Sequence, residues 1–375
     1  MERRPLSAVK FNSDPALPIT KVIPELLGAI ERSSKLILTA PPGAGKTTIV
    51  PLALLAAGKI KGRIIVLEPR RLAARAAAER MAQSLNEAAG DTVGYRMRGQ
   101  QKTSTQTRIE VVTEGILTRM LQSDPELTGI GAVIFDEFHE RSLNADLGLA
   151  LCLEAASAFR EDLRILVMSA TLDVAPLVTL MQHPPVIAAE GRSFPVAPIW
   201  LDRPLPKLIK FETAICDLVL QALPQTSGAV LVFLPGEREI HKTAALLKSN
   251  LPRSCTVNTL FGAMRFEDQK AALAPALDTR KIILATAIAE TSLTIEGIRV
   301  VVDGGLARRA QYDPGSGMSR LITQRASKAE ATQRQGRAGR LDSGWCYKLW
   351  SKAEEGAMAA FAPPEISSAD LAPLA

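Results

Sequence analysis

Aromatic residues make up only 4% of this 375-residue chain. A broad stacking platform for nucleobases is therefore not expected. Histidine is scarcer still: His139, His183 and His241 are far apart, which argues against a histidine-based metal site. The four cysteines, Cys152, Cys216, Cys255 and Cys346, are equally scattered. Their spacing fits neither a zinc site nor a disulfide framework and suits a reducing, cytoplasmic setting. No apolar run approaches the ~18–20 residues that a membrane span requires. Met1 to Thr20 holds no apolar core of the kind found in a secretory signal.

What is present is ordinary globular material, 47% hydrophobic and 22% charged. That much apolar surface argues against a disordered chain, and the length suits two or three domains. The 45 Lys and Arg exceed the 39 Asp and Glu, for a net charge of +6. The excess is concentrated. Between Arg308 and Arg340 lie Arg308, Arg309, Arg320, Arg325, Lys328, Arg334, Arg337 and Arg340, opposed only by Asp313 and Glu330. Such a run either attracts phosphate or forms a solvated charged face.

Short Ile, Val and Leu runs alternate with Ala- and Leu-rich helical stretches. Strands are expected at Lys35–Thr39, Arg63–Leu67, Arg108–Val112, Ala132–Asp136 and Arg164–Met168. A second set lies at Ala229–Phe233, Thr256–Leu260, Lys281–Thr286, Arg299–Val302 and Trp345–Leu349. Helices are expected at Ala73–Leu85, Gly115–Gln122 and Asp146–Ala158. Near-continuous apolar strands separated by helices predict an α/β fold with mostly parallel sheets covered on both faces. The segment 184–206 is rich in proline and separates the two sets. The expected division is an N-terminal extension (1–17), a first domain (18–198), a second (199–356) and a tail (357–375). Each set opens with a hydrophobic strand running into a Pro-Gly turn, so the two halves read as related lobes. An interdomain cleft is a common ligand site.

Only the first of those turns continues into Gly-Lys-Thr. Ala40-Pro41-Pro42-Gly43-Ala44-Gly45-Lys46-Thr47-Thr48 sits between a strand and a helix and matches a P-loop, with Ala40 at the first glycine position. Gly43 and Gly45 let backbone N–H groups approach phosphate oxygens, and the helix N-terminus adds positive potential. Lys46 is a point charge for the β- and γ-phosphates, and the Thr47 hydroxyl is a Mg²⁺ ligand. Pro51 follows within the first turns of the helix, where it either kinks it or is tolerated. The apolar strand ending in Asp136-Glu137 delivers two carboxylates to a strand C-terminus. Asp136 suits the magnesium, and Glu137 suits a general base for water. His139 follows, and by itself reads as a hydrogen-bonded structural residue. Ser169-Ala170-Thr171 closes another strand, either relaying hydrogen bonds or capping the next helix. Gln333, Arg337 and Arg340 lie at i, i+4 and i+7, so a helix would present them on one face. Arginines offered across the cleft would meet charge on a transferring phosphoryl group.

In this order the segments resemble superfamily 2 helicases of the DEAH/RHA group, in particular the bacterial HrpB-type. The resemblance rests on Pro41–Pro51, Leu67–Arg75, Val93–Arg98, Val112–Leu117, Asp136–Arg141, Met168–Leu172, Ala285–Gly297 and Gln333–Arg340, spanning about Pro18 to Trp350. It implies two tandem RecA-like P-loop domains, ATP and Mg²⁺ between them, and a single strand of nucleic acid, RNA rather than DNA. It implies ATP contacts from Pro42, Gly43, Ala44, Gly45, Lys46, Thr47 and Thr48. Asp136, Glu137 and His139 would form the catalytic motif, with Phe138 where the group name has alanine. Gln333 would position water, Arg337 and Arg340 would contact the γ-phosphate, and Asp303 would help at the nucleotide or metal. Arg80 would stack on adenine. Ser169 and Thr171 would couple hydrolysis to strand movement. Arg70, Arg71, Thr113, Thr286 and Thr291 would hold the nucleic-acid backbone, positioning it without reading sequence. The turn-rich segment Tyr312–Gly317 would be the tip of a strand-separating hairpin. Two departures accompany the match. Gly304-Gly305 after Asp303 replaces the usual dipeptide, and Lys270–Ala276 lacks the aromatic that stacks on the base. The tail resembles the start of an accessory region that the chain does not contain. The implied activity is thus an ATP-dependent helicase or, failing unwinding, a strand-binding ATPase. A P-loop NTPase acting on other substrates is the competing reading from residues alone.

Overall fold

The structure, a computed structural model, describes residues 11, 15–170, 174–191, 194–275, 278–290 and 295–372. Two compact units emerge, one from the chain up to Gly191 with Pro364–Ile366, the other from the rest.

In the first unit the strands are β1 (Lys35–Thr39), β2 (Arg63–Glu68), β3 (Val93–Met97), β4 (Gln100–Lys102), β5 (Ile109–Thr113), β6 (Ile130–Phe135), β7 (Arg164–Ser169) and β8 (Val186–Ala188). They form one sheet in the order β4-β3-β5-β2-β6-β7-β1-β8. Every pairing is parallel except β3 with β4. The helices are α1 (Ile23–Arg32), α2 (Lys46–Ala56), α3 (Arg71–Ser84), α4 (Glu114–Ser123), α5 (Leu143–Ala158) and α6 (Ala175–Leu180). Strand alternation divides the core into two layers. Leu36, Leu38, Ile64, Val66 and Ile134 face α1, α2 and α3. Ile37, Ile65, Leu67, Val133 and Phe135 face α4 and α5. The register pairs Thr39 with Ser169, Glu68 with Thr113 and Leu67 with Phe135. The loops after β1, β2, β5, β6 and β7 therefore leave from one edge of the sheet, where such folds gather their chemistry.

The second unit contains β9 (Val196–Leu201), β10 (Ala229–Phe233), β11 (Cys255–Leu260), β12 (Arg280–Ala285) and β13 (Ile298–Asp303). An antiparallel hairpin of β14 (Leu306–Asp313) and β15 (Met318–Arg325) precedes β16 (Gly344–Ser351). The main sheet is parallel throughout, in the order β11-β12-β10-β13-β16-β9. Its helices are α7 (Phe211–Gln225), α8 (Glu237–Asn250), α9 (Phe266–Leu273), α10 (Lys328–Gly336) and α11 (Lys352–Gly356). Arg280 ties the sheet to the end of α7, donating to the carbonyls of Leu223, Thr226 and Gly228.

The ten strands expected from the sequence all form, within a residue or two. Strands β3, β4, β8, β9, β14 and β15 were not among them. They are short, charged or proline-bearing, so hydrophobic runs do not mark them. Pro198 is tolerated in β9 because that strand lies at a sheet edge. Strand β9 also straddles the expected domain division at 198/199 and pairs with β16, so the contact division falls earlier, after Gly191. Pro51 does not interrupt α2, which runs through it. No helix among the described residues is long and apolar enough to cross a membrane.

Candidate functional site

The turn between β1 and α2 is built on two left-handed glycines, Gly43 (φ 83°) and Gly45 (φ 91°). A side chain there would be strained, and a Cβ on Gly45 would lie 3.0 Å from Leu17 and 3.2 Å from Ile19. Gly45 is also the N-cap of α2 and offers no side-chain cap, which leaves that role to an anionic ligand. Pro42 and Ala44 complete the turn, and Lys46, Thr47 and Thr48 form the first turn of the helix.

Lys46 is buried, with Nζ 3.1 Å from Glu137 Oε1 and 4.0 Å from Asp136 Oδ1. Burial works to lower its pKa, but Glu137 and Asp136 outweigh it, so the ammonium is held above its ordinary value and stays charged. The Thr47 hydroxyl donates to Asp136 Oδ2. Asp136 is pushed up to about 6, by burial first, with Lys46 pulling down and Glu137 pushing up. Glu137 adopts a left-handed backbone (φ 49°), rare for a residue with a side chain, and its N–H donates to Asp136 Oδ1 at 2.8 Å. Both carboxylates are thereby turned toward Lys46.

His139 lies in the short turn Phe138–Glu140. Its Nδ1 accepts from the Ala170 N–H at 3.2 Å, and its Nε2 lies 3.4 Å from Glu137 Oε2. Burial lowers its pKa, so the ring is neutral and Nε2 carries the proton toward Glu137. His139 thus joins the carboxylate to the segment after β7. Ser169 ends β7 and is buried. The next helix, α6, has Val174 as its N-cap without a side-chain bond, so Ser169 does not cap it. Thr171 lies outside the described residues.

The donors fit a hard divalent cation. Thr47 and Asp136 bring a hydroxyl and a carboxylate to one point, the ligand chemistry that Mg²⁺ takes. Among the described residues no cluster of three or more His, Cys, Asp or Glu side chains could hold a metal.

One residue at this edge is only weakly marked in the sequence. Glu68 ends β2 and is fully buried. Burial, then Asp136 and Glu137, push its carboxyl well above the usual range. A glutamate closing an otherwise apolar strand is the only clue, and the adjacent arginines drew attention instead. Those arginines sit nearby: Arg70 is the N-cap of α3 and donates to Glu140 at 3.2 Å, while Arg71 is exposed. Thr113 is the half-buried N-cap of α4. Arg80 is exposed on α3.

In the second unit Thr286 follows β12 and precedes the turn Ala287–Ala289. Thr291 lies outside the described residues. Asp303 ends β13, is fully buried, and accepts from Arg334 Nη1 at 3.0 Å and from the Gly305 N–H at 2.8 Å. Gln333, Arg337 and Arg340 fall at the end of α10 and in the turn that follows it, where Gly336, Arg337 and Arg340 all keep right-handed helical backbone. Helix α10 ends at Gly336, and Arg337–Gly339 tightens into a 3-10 turn that changes the angular spacing. Gln333 and Arg340 are half-buried, and Arg337 is buried with Nε donating to the Glu290 carbonyl at 3.0 Å. Arg334 was not singled out from sequence, yet it is the hub. Its guanidinium donates to Glu290 (3.1 Å), Asp303 (3.0 Å) and the Leu306 carbonyl (3.2 Å). Burial works to lower its pKa, but Asp303 and Glu290 outweigh it and keep it firmly charged.

The description "DEAD/DEAH box helicase" matches residues 19–179, and "Helicase conserved C-terminal domain" matches residues 211–342. The chain is 52% identical, over 96% of its length and 44% of the relative's, to the ATP-dependent RNA helicase HrpB of Escherichia coli K12. It is 36% identical to the ATP-dependent RNA helicase HrpA of the same organism, over 95% of this chain and 28% of that one. A crystal structure of the E. coli DEAH/RHA helicase HrpB aligns with a TM-score of 0.91 at 52% identity, covering 96% of this chain and 46% of that one. The chain thus spans less than half the length of these relatives. With the two domain types in consecutive order, a glycine-turned lysine beside paired carboxylates in the first and an arginine-rich helix end in the second, the chain belongs to the DEAD/DEAH box helicase family.

Proposed function

We propose that this chain is the motor core of an ATP-dependent RNA helicase. The observation that carries the reading is the convergence of Lys46, Thr47, Asp136 and Glu137 at the left-handed glycine turn. The triphosphate binds over that turn, where backbone N–H groups and the start of α2 favour its charge, and Lys46 exchanges Glu137 for the β- and γ-phosphates. Thr47 and Asp136 hold Mg²⁺, which when bound neutralises charge on those phosphates. Glu137 accepts the proton of a water whose oxygen attacks the γ-phosphorus; the bond from that phosphorus to the β-bridging oxygen breaks, and its electrons leave with ADP. His139 orients Glu137 from its neutral side. Gln333 positions the water, and Arg337 and Arg340 stabilise the charge spreading over the transferring group.

Arg70, Arg71, Thr113, Thr286 and Thr291 grip the RNA backbone, and Ser169 and Thr171 carry the coupling. Arg80 serves the base of the nucleotide. The reaction belongs in the cytoplasm, a setting supported by four free thiols. The test is ATP turnover with and without single-stranded RNA, beside a DNA strand of matched sequence. Stimulation by RNA above DNA is the expected result; equal rates in all three conditions overturn the reading. Stimulation without strand separation in a duplex assay identifies a strand-binding ATPase instead.

A further inference from the structure

We infer that Arg309 and Glu330 form a mechanical link that makes the β14–β15 hairpin move as one body with α10 and the arginine-bearing turn after it. The inference rests on the proposed function for its meaning, since Arg337 serves the nucleotide only on that reading.

The hairpin needs such a link. Among the described residues its two strands pair with each other and with no strand of the main sheet. Most of it is exposed, including the apolar residues Met318 beside the turn and Leu321 in the middle of β15. It springs from Gly304-Gly305, with Gly305 in the left-handed region (φ 70°) and packed so closely that a Cβ there would lie 2.7 Å from Trp350. A backbone bond from the Ala326 N–H to the Gly305 carbonyl (2.9 Å) closes its base, but a base alone does not fix its direction.

Helix α10 grips β14 at two points. Arg309 Nη2 donates to both carboxylate oxygens of Glu330, at 2.7 and 2.6 Å, with both side chains largely buried. Glu330 is itself held. Its Oε2 accepts from the Ser327 N–H and hydroxyl, each at 2.7 Å, in a capping box at the start of α10. Just over one turn further along, Arg334 donates to the carbonyl of Leu306, three residues before Arg309. The same guanidinium holds Glu290, whose carbonyl receives Arg337. A continuous path therefore runs from Arg309 through Glu330, the body of α10, Arg334 and Glu290 to Arg337. Arg308, on the opposite face of β14, reaches Glu239 of α8 at 3.3 Å through a longer and more exposed contact. Arg325 pairs with Glu354 of α11, and the Tyr312 N–H donates to the Ser368 carbonyl at 2.8 Å. Neither of those contacts touches α10.

The test compares the full chain with Arg309→Gln, Glu330→Gln and Arg309→Lys. Glutamine at 330 keeps the capping role while losing the charge. Basal ATP turnover should stay within about twofold of wild type, while stimulation by single-stranded oligouridylate should fall about tenfold in both glutamine variants. Arg309→Lys, which keeps a cation, should recover much of the loss. Amide hydrogen exchange should show β14 losing protection in Arg309→Gln while α10 keeps its own. Wild-type stimulation together with wild-type exchange in Arg309→Gln overturns the link. A wild-type chain that RNA does not stimulate overturns the functional reading, and the exchange measurement still decides the link.

Discussion

Lys46 and Glu137 hold each other's charge in a buried site, so removing either leaves its partner exposed to the full cost of burial. Lys46→Ala and Glu137→Gln should each lower ATP turnover by about a hundredfold or more, measured as phosphate release at saturating ATP. Residual turnover near wild type in Glu137→Gln would remove the general base from the mechanism. A residue outside that pair adds to the pH dependence of stability. Glu114 is pushed up to about 7 from an ordinary 4.5. Burial is the main cause; a hydrogen bond with Ser142 and the charge of Arg70 pull down, and Glu140 and Glu365 push up. The fold prefers the neutral carboxyl. Its contribution is complete below the unfolded value and is lost as pH rises through about 7, a cost on the order of 3 kcal/mol by mildly alkaline pH. Glu114→Gln keeps the side chain neutral, so the fall in urea midpoint between about pH 5 and about pH 8 should shrink in that variant. An unchanged slope would mean that Glu114 ionises freely.

At the scale of elements, two kinds of helix start carry different work. Helix α2 begins at a glycine with no side-chain cap, which suits it to a phosphate. Helix α10 begins at Ser327 with a complete capping box, which suits it to stay in place. Ser327→Ala should cost about 1 kcal/mol of stability, read as a lower thermal midpoint, because it strips a bond from the Glu330 N–H and one from Glu330 itself. Gly45→Ser in α2 would add a cap but force a left-handed residue against Leu17 and Ile19. The hairpin illustrates what sequence reading does and does not see. The turn at Asp313-Pro314-Gly315-Ser316-Gly317 is legible, and Asp313 indeed accepts from the Gly315 N–H and the Ser316 hydroxyl. Its strands are not legible, because exposed, charged strands lack the apolar run that marks a buried one.

Across the whole molecule the charge excess of +6 is unevenly paired. Arg308, Arg309, Arg320, Arg325, Arg334 and Arg337 all have partners within the second unit, so the dense basic run is largely paired, although Arg308, Arg320 and Arg325 remain exposed. RNA binding should therefore show a moderate salt slope, about two to four counterions released, in a titration of binding against potassium chloride. A slope near zero would exclude backbone recognition; a slope near eight would mean that the basic run is free in solution. The P-loop, the Asp136-Glu137 strand end and the two α/β sets were readable from the chain itself, because glycine conformation, strand hydrophobicity and helix starts are local properties. Arg334 was not readable. Its partners Glu290 and Asp303 lie 44 and 31 residues away in the chain, and nothing in the local pattern distinguishes it from its neighbours. The burial of Arg337 belongs to the same class, since its Nε donates to the Glu290 carbonyl, 47 residues away in the chain. Local chemistry thus marks the glycine turn before α2 and the carboxylates that end β6. Only the packing of distant segments decided which arginines are buried as anchors, because burial of a charge depends on the partners that the fold brings to it.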